Sequence, residues 1–363
     1  MRPAPKPGIL DIRPYVAGRS DAPGVNRVFK LSSNEGALGP APAAMAAFRA
    51  GEGELGLYPE GSARALREAL AKAHGLDAAR VVCGNGSDEL LTLLANCYAG
   101  PGDEVLFSAH GFLVYRIATL ANGAIPIAVP EPDLKTDIEA MLARVSQRTR
   151  LVYIANPNNP TGSVLAGAEL KRLHAGLPKA ALLVIDAAYA EYVTREDYEP
   201  GAALVEAHEN VVMTRTFSKI HALAGLRVGW AYCPAHVADV LNRVRGPFNV
   251  NIAAQRAALA SLSDTAHIAA AMRHNEIWRA YLTQNIRRLG LACADSAGNF
   301  VLIAFPKDAG RTAGDADKFL TARGIVLRPT GAYGLPNALR ITVGTEEANR
   351  LAIDVLAEFM ARR

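Results

Sequence analysis

Short apolar runs, separated by longer segments with helical spacing, dominate the chain from about residue 81 to residue 245. Most of these runs are continuously apolar, which is typical of strands buried on both faces of a mostly parallel sheet. Helical patterns such as 88–98 and 235–245 lie between or beside them. The alternation predicts an α/β fold with strands at 80–83, 104–107, 124–129, 151–154, 181–185, 211–214 and 228–232.

The pattern changes after Pro247. Residues 252–289 are rich in alanine with few helix breakers, so long helices are predicted there. Shorter strand candidates follow at 300–305, 325–327 and 339–343, and a helical pattern covers 346–360. We therefore predict an N-terminal arm over residues 1–30, a large α/β domain over 31–246 and a small α+β domain over 247–363.

Composition narrows the class of protein. The chain has 363 residues, half of them hydrophobic, which is enough for two domains. Lys and Arg total 39 against 35 Asp and Glu, without a basic run, so no nucleic-acid partner is expected. Neither a membrane-length apolar stretch nor a signal-peptide core is present, so we expect a soluble cytoplasmic protein. The four cysteines are too scattered to predict a metal site.

A lysine preceded by hydroxyl side chains is the strongest chemical signal. Thr216 and Ser218 come just before Lys219, and Arg227 follows eight residues later. A lysine that forms an imine must lose its proton, which requires a partly desolvated site rich in cations. Hydroxyl groups and an arginine suit a phosphate ester. The alternative is a surface turn with incidental charges, which the same residues could also form.

Two further signals follow predicted strands. Asp186 ends the apolar run 181–185, at the end of a strand where α/β sheets bind ligands. A protonated ring nitrogen would compensate its charge, although a helix N-cap aspartate is an equal alternative. Asn159 lies in the sequence NPNNPTG, residues 156–162, and could donate to a cofactor oxygen or serve the turn alone.

A glycine-rich turn supplies the fourth signal. Gly84 and Gly86 follow the first predicted strand and precede a helical pattern, which brings free backbone N–H groups to a helix N-terminus. That arrangement could bind a phosphate, or it could be an ordinary turn. The third glycine of a dinucleotide site and the Gly-Lys-Ser/Thr of a P-loop are both missing, so neither of those nucleotide sites is predicted.

In their order along the chain, these motifs resemble the fold-type I pyridoxal-phosphate aminotransferases. The resemblance rests on NPNNPTG, on Asp186 followed by Tyr189, and on Lys219 followed by Arg227. Within that superfamily the chain is most similar to the histidinol-phosphate aminotransferases, through residues 30–35, 245–251, 326–329 and 333–344. One departure is Gly36-Ala37, where many members have Asn-Pro; the change loosens the loop but removes no group with a chemical role.

The resemblance implies a role for each matching residue. Lys219 would bind pyridoxal 5'-phosphate covalently, and Asp186 would pair with its ring nitrogen. Tyr189 and Asn159 would hydrogen-bond the ring hydroxyl oxygen, and Phe112 would stack on the ring. The groups implied to bind the cofactor phosphate are Gly86 and the backbone at Ser87 and Asp88, together with Thr216, Ser218 and Arg227.

Further implied roles concern the substrate and a second subunit. Arg340 would bind the anionic group of the substrate, helped by Arg328 and Tyr15, with Asn34 beside them. A surface cation and an arm-packing aromatic are the alternatives for Arg328 and Tyr15, and local packing is favoured for the neighbouring His221. Tyr58 would reach the phosphate of the neighbouring subunit, so a homodimer with shared sites is implied.

The reaction implied is transamination of histidinol phosphate with 2-oxoglutarate, giving imidazole acetol phosphate and glutamate in histidine biosynthesis. An aromatic amino-acid aminotransferase shares the core motifs, but cationic groups beyond Arg340 favour the phosphate. A decarboxylase of a phosphorylated amino acid uses the same scaffold. A cofactor-sensing regulator would need a DNA-binding module, for which the residues before Asn34 leave no room.

Overall fold

The computed structural model describes residues 3–362, which fold into a large sheet and a smaller one with separate cores. Within these residues the strands are β1 (Phe29–Lys30), β2 (Val81–Gly84), β3 (Glu104–Ser108), β4 (Ile125–Val129), β5 (Thr149–Ala155), β6 (Leu182–Asp186), β7 (Val211–Thr216), β8 (Gly229–Tyr232), β9 (Ala292–Cys293), β10 (Phe300–Ala304), β11 (Ile325–Val326), β12 (Arg328–Pro329) and β13 (Ala338–Thr342). The strands of the first half follow the predicted apolar runs to within one or two residues.

Helices cover both sheets. They are α1 (Pro42–Ala50), α2 (Arg64–His74), α3 (Ser87–Tyr98), α4 (Leu113–Ala121), α5 (Ile138–Ala143), α6 (Gly167–Ala175), α7 (Ala202–Ala207), α8 (Ala235–Val244), α9 (Ile252–Ser263), α10 (Thr265–Arg288), α11 (Ala313–Thr321) and α12 (Glu346–Ala361). Between residues 3 and 362, no helix has both the length and the apolar character that a bilayer crossing requires.

The large sheet has seven strands in the order β2-β8-β7-β6-β5-β3-β4. Strands β7, β6, β5, β3 and β4 are parallel, whereas β8 runs antiparallel to both β2 and β7. Every residue of β6 and β7 is buried, as expected for strands covered by helices on both faces. The mostly parallel α/β sheet predicted from the continuous apolar runs is confirmed.

The register of the parallel strands brings three of the chemical signals to one edge. Ala155, the last residue of β5, pairs with Asp186, which pairs in turn with Thr214 of β7. The turn 156–162, the segment after Asp186 and the turn containing Lys219 therefore leave adjacent strands side by side. This edge is where parallel α/β sheets place their ligands.

Helix α3 completes that edge because of its sequence. Leu90, Leu91 and Leu94 repeat at helical spacing and are buried against the sheet. Asp88 and Glu89 occupy the first turn, where negative charge favours a helix start. The helix begins at Ser87, directly after β2, so its N-terminus opens onto the carboxyl ends of the neighbouring strands.

The small sheet has the order β12-β13-β10-β9 and is antiparallel. Arg328 and Arg340 are direct partners in the register of β12 and β13. Beside this sheet, β1 pairs in parallel with β11, which ties the end of the N-terminal arm to the small core. The sequence patterns predicted β11, within the apolar run 325–327, but not β1, β9 or β12, which are also two residues long.

The division into domains stays a prediction, but the cores suggest a later boundary than residue 247. Ala254 and Ala257 of α9 lie in the core under the large sheet, together with Val250. Trp278 and Leu282 of α10 lie in the core of the small sheet. Because α9 packs against α1 and α2, we propose that the small domain begins with α10.

Candidate active site

A cavity of about 200 Å³ opens at the carboxyl edge of the large sheet, with the small sheet and the N-terminal arm on its other side. Most of the residues with predicted roles line it. They are Tyr15, Asn34, Ser87, Asp88, Phe112, Asn159, Asp186, Tyr189, Thr216, Ser218, Lys219, Arg227, Arg328 and Arg340. Gly86 lies directly behind this wall, and Tyr58 lies elsewhere on the surface.

Lys219 lies in the turn that follows β7. Its Nζ is 3.4 Å from the carbonyl oxygen of Ser33 and 5.6 Å from the centre of the Tyr189 ring. Burial, and then the positive charge of Arg340, lower the pKa of this amine to about 8. Roughly a tenth of the lysine is therefore neutral at pH 7, far more than for an exposed lysine. A neutral amine is the form that attacks a carbonyl carbon.

Asp186 is the last residue of β6 and is almost fully buried. Its Oδ2 accepts a hydrogen bond of 2.8 Å from the Tyr115 hydroxyl, and its Oδ1 accepts one of 3.3 Å from Thr214 Oγ1. Burial raises the pKa of this carboxyl to about 6, while the two hydroxyl donors oppose the rise. The next helical turn begins at Ala190 with Tyr189 before it, so Asp186 is not a helix N-cap.

Tyr189 is held by a residue from a distant part of the chain. Its hydroxyl oxygen accepts a hydrogen bond of 2.9 Å from Asn34 Nδ2, which leaves the phenol proton available for a ligand oxygen. Asn34 has a left-handed φ of 58° and is fixed by Thr342 Oγ1, 2.9 Å from its backbone N. Asparagine tolerates this backbone region better than most residues.

A group of hydroxyl and guanidinium donors faces the N-terminus of α3. Thr216 Oγ1 lies 3.0 Å from Ser218 Oγ, and Arg227 Nη1 lies 3.4 Å from the same oxygen. Arg227 Nη2 is 3.1 Å from Asp88 Oδ2. Backbone amides at a helix start, two hydroxyls and an arginine together are the donors that a phosphate monoester requires.

Two glycines let the donor groups at this end of the cavity come close to the neighbouring backbone. Gly86 has a φ of +81°, and a Cβ there would lie 2.5 Å from Arg227 Nη2. A Cβ at Gly229 would lie 2.4 Å from the amide nitrogen of Ser87. A buried amine, a buried carboxylate and a phosphate-binding end thus line one cavity. This arrangement fits a phosphorylated pyridine aldehyde such as pyridoxal 5'-phosphate.

Two buried arginines form the wall on the side of the small sheet. Arg340 donates through Nη2 to the Ser32 carbonyl oxygen at 2.8 Å and through Nη1 to Asn159 Oδ1. Arg328 donates through Nη2 to the Val16 carbonyl oxygen at 2.8 Å. Both Nε atoms are buried and lack a hydrogen-bond partner within residues 3–362, and no carboxylate in that range pairs with either arginine. Two such cations side by side favour an anionic ligand.

The comparison with known proteins agrees with this chemistry. The sequence model of the family described as Aminotransferase class I and II matches residues 26–356. The chain belongs to this family.

This aminotransferase has relatives over its full length. It is 56% identical over 362 residues to the histidinol-phosphate aminotransferase of Rhodopseudomonas palustris (strain HaA2), and the match covers 99% of each chain. The histidinol-phosphate aminotransferase of Paramagnetospirillum magneticum is 56% identical over 358 residues, again with 99% of each covered. A solved structure of histidinol-phosphate aminotransferase from Sinorhizobium meliloti, in complex with pyridoxal-5'-phosphate, has a TM-score of 0.86 and 29% identity, covering 94% of this chain and 91% of that one.

The cavity of the aminotransferase also contains residues that the sequence motifs did not single out. Tyr333 lines it, and its carbonyl oxygen is 2.7 Å from Nδ1 of His110, which follows β3 of the large sheet. Ser33 and Gly18 line it from the arm and its junction. Tyr115 lies one layer behind the cavity, where it contacts Asp186. The helical spacing of Tyr115 from Phe112 was the available sequence signal for its place.

Two of the predicted residues of the aminotransferase lie away from the chemistry. Tyr58 is 81% exposed and stacks on Phe248, with ring centres 4.6 Å apart, so it does not reach the cavity of its own chain. A role in a neighbouring subunit stays a prediction. His221 is buried, its Nδ1 is 2.7 Å from Ser261 Oγ, and burial lowers its pKa to about 4, so local packing accounts for it.

Proposed function

We propose that this aminotransferase exchanges the amino group of histidinol phosphate with the oxo group of 2-oxoglutarate, using pyridoxal 5'-phosphate as its cofactor. The products are imidazole acetol phosphate and glutamate. The names of the full-length relatives support this substrate, and the bound cofactor of the Sinorhizobium meliloti protein supports the cofactor.

The observation that carries the substrate is the pair of buried arginines. A carboxylate has one charge and is satisfied by one arginine fork. A phosphate monoester has up to two charges and more acceptor oxygens, so a second cation is needed for the charge and oxygens that one arginine does not bind. Arg328 is only 6% exposed and lies opposite Arg340 in the sheet, which suits that second role better than a surface cation.

Each end of the cavity has residues that would hold the cofactor. Thr216, Ser218, Arg227 and the amides at the start of α3 would bind its phosphate, and Phe112 would lie against its ring. When bound, the cofactor supplies an aldehyde for the amine and a ring that withdraws electrons from the bonds of the substrate α-carbon. Asp186, as a carboxylate, would hold a proton on the ring nitrogen.

The other residues would orient the substrate and move its proton. Lys219 Nζ, with a pKa lowered to about 8, would take the proton from the substrate α-carbon as a general base and then donate it as a general acid. Tyr189 would donate a hydrogen bond from its hydroxyl to the ring oxygen. Asn159 would donate a second one from Nδ2, because its Oδ1 already accepts from Arg340. Arg340 would bind the anionic group of either substrate in turn.

We also propose a homodimer in the cytoplasm. Leu55, Leu57 and Tyr58 are 73%, 68% and 81% exposed and lie in one short segment, with Phe248 stacked on the tyrosine. Large apolar side chains grouped in this way favour a covering partner surface. The free thiols, among them the buried Cys83 and Cys233, suit a reducing compartment.

Separate measurement of the two half-reactions tests the substrate. Arg340→Ala should damage the reactions with histidinol phosphate and with glutamate alike. Arg328→Ala should reduce kcat/KM for histidinol phosphate about ten- to a hundredfold more than for glutamate, since charged hydrogen bonds contribute roughly 1.5–3 kcal/mol. Stopped-flow absorbance follows each half-reaction. The exposed Arg323, paired with Glu358 at 3.2 Å, is the matched control for an arginine-to-alanine change.

Equal losses for both substrates in Arg328→Ala would make that arginine structural. A kcat/KM for phenylalanine equal to that for histidinol phosphate in the unmodified enzyme would favour an aromatic amino-acid aminotransferase instead.

A further inference from the structure

Tyr115 is a buried tyrosine that no motif identified and that the proposed mechanism does not yet use. It lies on the first turn of α4 and is 1% exposed. Its hydroxyl donates to Asp186 Oδ2 at 2.8 Å, across 71 residues of sequence. No other hydrogen bond of this hydroxyl is present among residues 3–362.

The ring of Tyr115 is held on two sides, which fixes the direction of its hydroxyl. It stacks on Tyr153 of β5 with ring centres 4.7 Å apart and planes within 1° of parallel. Phe112, whose ring lines the cavity, meets it edge-on at 5.9 Å. A stacked and buried ring has few alternative rotamers, so its oxygen stays at one place relative to β6.

Asp186 depends on such donors. A buried carboxylate is costly in its charged form unless hydrogen bonds replace the lost water. Thr214 Oγ1 lies at the longer distance of 3.3 Å, so the shorter bond from Tyr115 contributes more. Donors to the charged form favour that form, and they also restrict the carboxylate to one rotamer.

We propose that Tyr115 is a positioning residue of the active site, whose hydroxyl keeps the Asp186 carboxylate ionised and aimed at the ring nitrogen of the cofactor. This rests on the proposed function, in which Asp186 meets that nitrogen. Tyr115 itself touches neither cofactor nor substrate. It acts through Asp186.

Other groups around Asp186 set the background against which Tyr115 acts. The negative charge of Asp88 on α3 raises the pKa of Asp186, and the Thr214 hydroxyl on β7 lowers it. Burial raises the pKa values of Tyr153, Tyr189 and Tyr198, and the nearby Asp186 charge adds to the rise. All three are neutral over the pH range in which Asp186 titrates, so none of them adds a charge that changes there.

Tyr115→Phe removes the hydroxyl and keeps the stacked ring, so it isolates the hydrogen bond. Tyr153→Phe is the matched control, because Tyr153 is equally buried and in the same stack but donates to the Leu91 carbonyl oxygen at 2.8 Å. Circular dichroism and thermal unfolding of both variants establish that each is folded.

Three measurements then follow. Equilibrium dialysis of the holoenzymes should show cofactor affinity weakened about tenfold or more in Tyr115→Phe. The acid limb of the kcat profile should move about one pH unit higher, because loss of a donor to the carboxylate raises its pKa. In the full chain freed of cofactor, the ¹³C signal of the Asp186 carboxyl should titrate at higher pH than in the unmodified chain. The signal is assigned by its loss in Asp186→Asn.

Tyr153→Phe should leave the cofactor affinity within about twofold of the unmodified protein. The acid limb of the kcat profile and the Asp186 titration should move by no more than a few tenths of a pH unit. Unchanged affinity and an unchanged Asp186 titration in Tyr115→Phe, or equal changes in both variants, would overturn the proposal. So would a larger change in Thr214→Val than in Tyr115→Phe.

If Tyr115→Phe does not fold, 3-fluorotyrosine at position 115 replaces it as the test. Its hydroxyl is a stronger donor, so it should lower the Asp186 pKa, and an unchanged pKa would overturn the proposal. If the unmodified chain does not bind pyridoxal phosphate at all, the proposed function fails, whereas the carboxyl titration still decides the role of Tyr115.

Discussion

Gly36 and Ala222 meet in one close contact beside the lysine turn. A Cβ built at Gly36 would lie 2.7 Å from the Ala222 Cβ and 3.1 Å from the Lys219 carbonyl oxygen. Ala222 itself has a left-handed φ of 55°, which costs an alanine about 1–2 kcal/mol. The two positions therefore share one space beside the lysine turn, and only one of them can have a methyl group.

Exchanging the two side chains tests this coupling. Gly36→Ala should lower the free energy of unfolding by about 1–3 kcal/mol, because the new methyl group overlaps the Ala222 methyl group. Gly36→Ala combined with Ala222→Gly should recover most of that loss, since the glycine frees the space and also tolerates the left-handed backbone. Urea unfolding of the four proteins gives the double-mutant cycle. Additive losses would mean that the contact is not shared.

A buried ion pair joins the two segments that carry the catalytic groups. Arg215 on β7 and Glu191, in the helical turn after Tyr189, are 2.7 Å apart between Nη2 and Oε1, with side chains 9% and 16% exposed. Arg215 comes four residues before Lys219. The pair thus fixes the end of β7 relative to the segment that follows β6.

Loss of one partner should leave the other charge buried and alone. Arg215→Met and Glu191→Gln should each lower the free energy of unfolding by about 3–5 kcal/mol, and the double variant by less than their sum. The exposed pair of Arg195 and Asp197 is the control, with less than about 1 kcal/mol expected from Arg195→Met. Chemical unfolding compares these four variants with the unmodified protein, and a loss below 1 kcal/mol in the buried single variants would contradict the argument.

The same pair has a predictable pH dependence. Burial would raise the pKa of Glu191, but the Arg215 guanidinium and His221 hold it below its ordinary value of 4.5. A carboxyl whose folded pKa is depressed contributes its full stabilisation above the unfolded value and loses it as the pH falls through the folded one. The unmodified protein should therefore lose stability relative to the double variant below about pH 4.5. If the free energy of unfolding of the two proteins changed in parallel between pH 6 and pH 3, Glu191 would have no part in acid unfolding.

At the scale of the whole molecule, the question is whether the site is shared between two chains. Tyr58 is exposed and outside the cavity, so any contact with a cofactor phosphate has to come from a second copy. Light scattering at assay concentration should give the mass of a dimer. A fully active monomer would contradict the shared site.

Mixing two inactive variants tests the sharing directly. Lys219→Ala lacks the reacting amine, and Tyr58→Ala should bind cofactor poorly. In a mixed dimer, one site combines an intact Lys219 with an intact Tyr58 from the other chain. Random exchange at equal amounts should then restore about a quarter of the sites. Holoenzyme assays after mixing, compared with each variant alone, measure this. Activity no greater than the average of the two parents would assign Tyr58 to its own chain or to neither.

The sequence by itself determined the features that depend on near neighbours along the chain. The continuous apolar runs fixed strands such as β6, and their parallel arrangement brought Asp186 and Lys219 to one edge, because parallel strands end on the same side. The phosphate-binding turn at Gly86 and the helix that follows it are likewise local: backbone geometry and helical spacing there depend on residues within about four positions. Most of the other residues that line the cavity were predicted through the resemblance to the aminotransferases that these motifs support.

Only the tertiary structure decided the contacts between distant segments. Asn34 reaches Tyr189, Tyr115 reaches Asp186 and Gly36 meets Ala222 across 155, 71 and nearly two hundred residues, and no period in the sequence encodes such distances. The packing of α9 under the large sheet could not be predicted either, because an alanine-rich helix has the same sequence in any surroundings. The same holds for the partnerless Nε atoms of Arg328 and Arg340 within the described residues. Burial and partner choice depend on which surfaces pack together, and that is a property of the folded molecule.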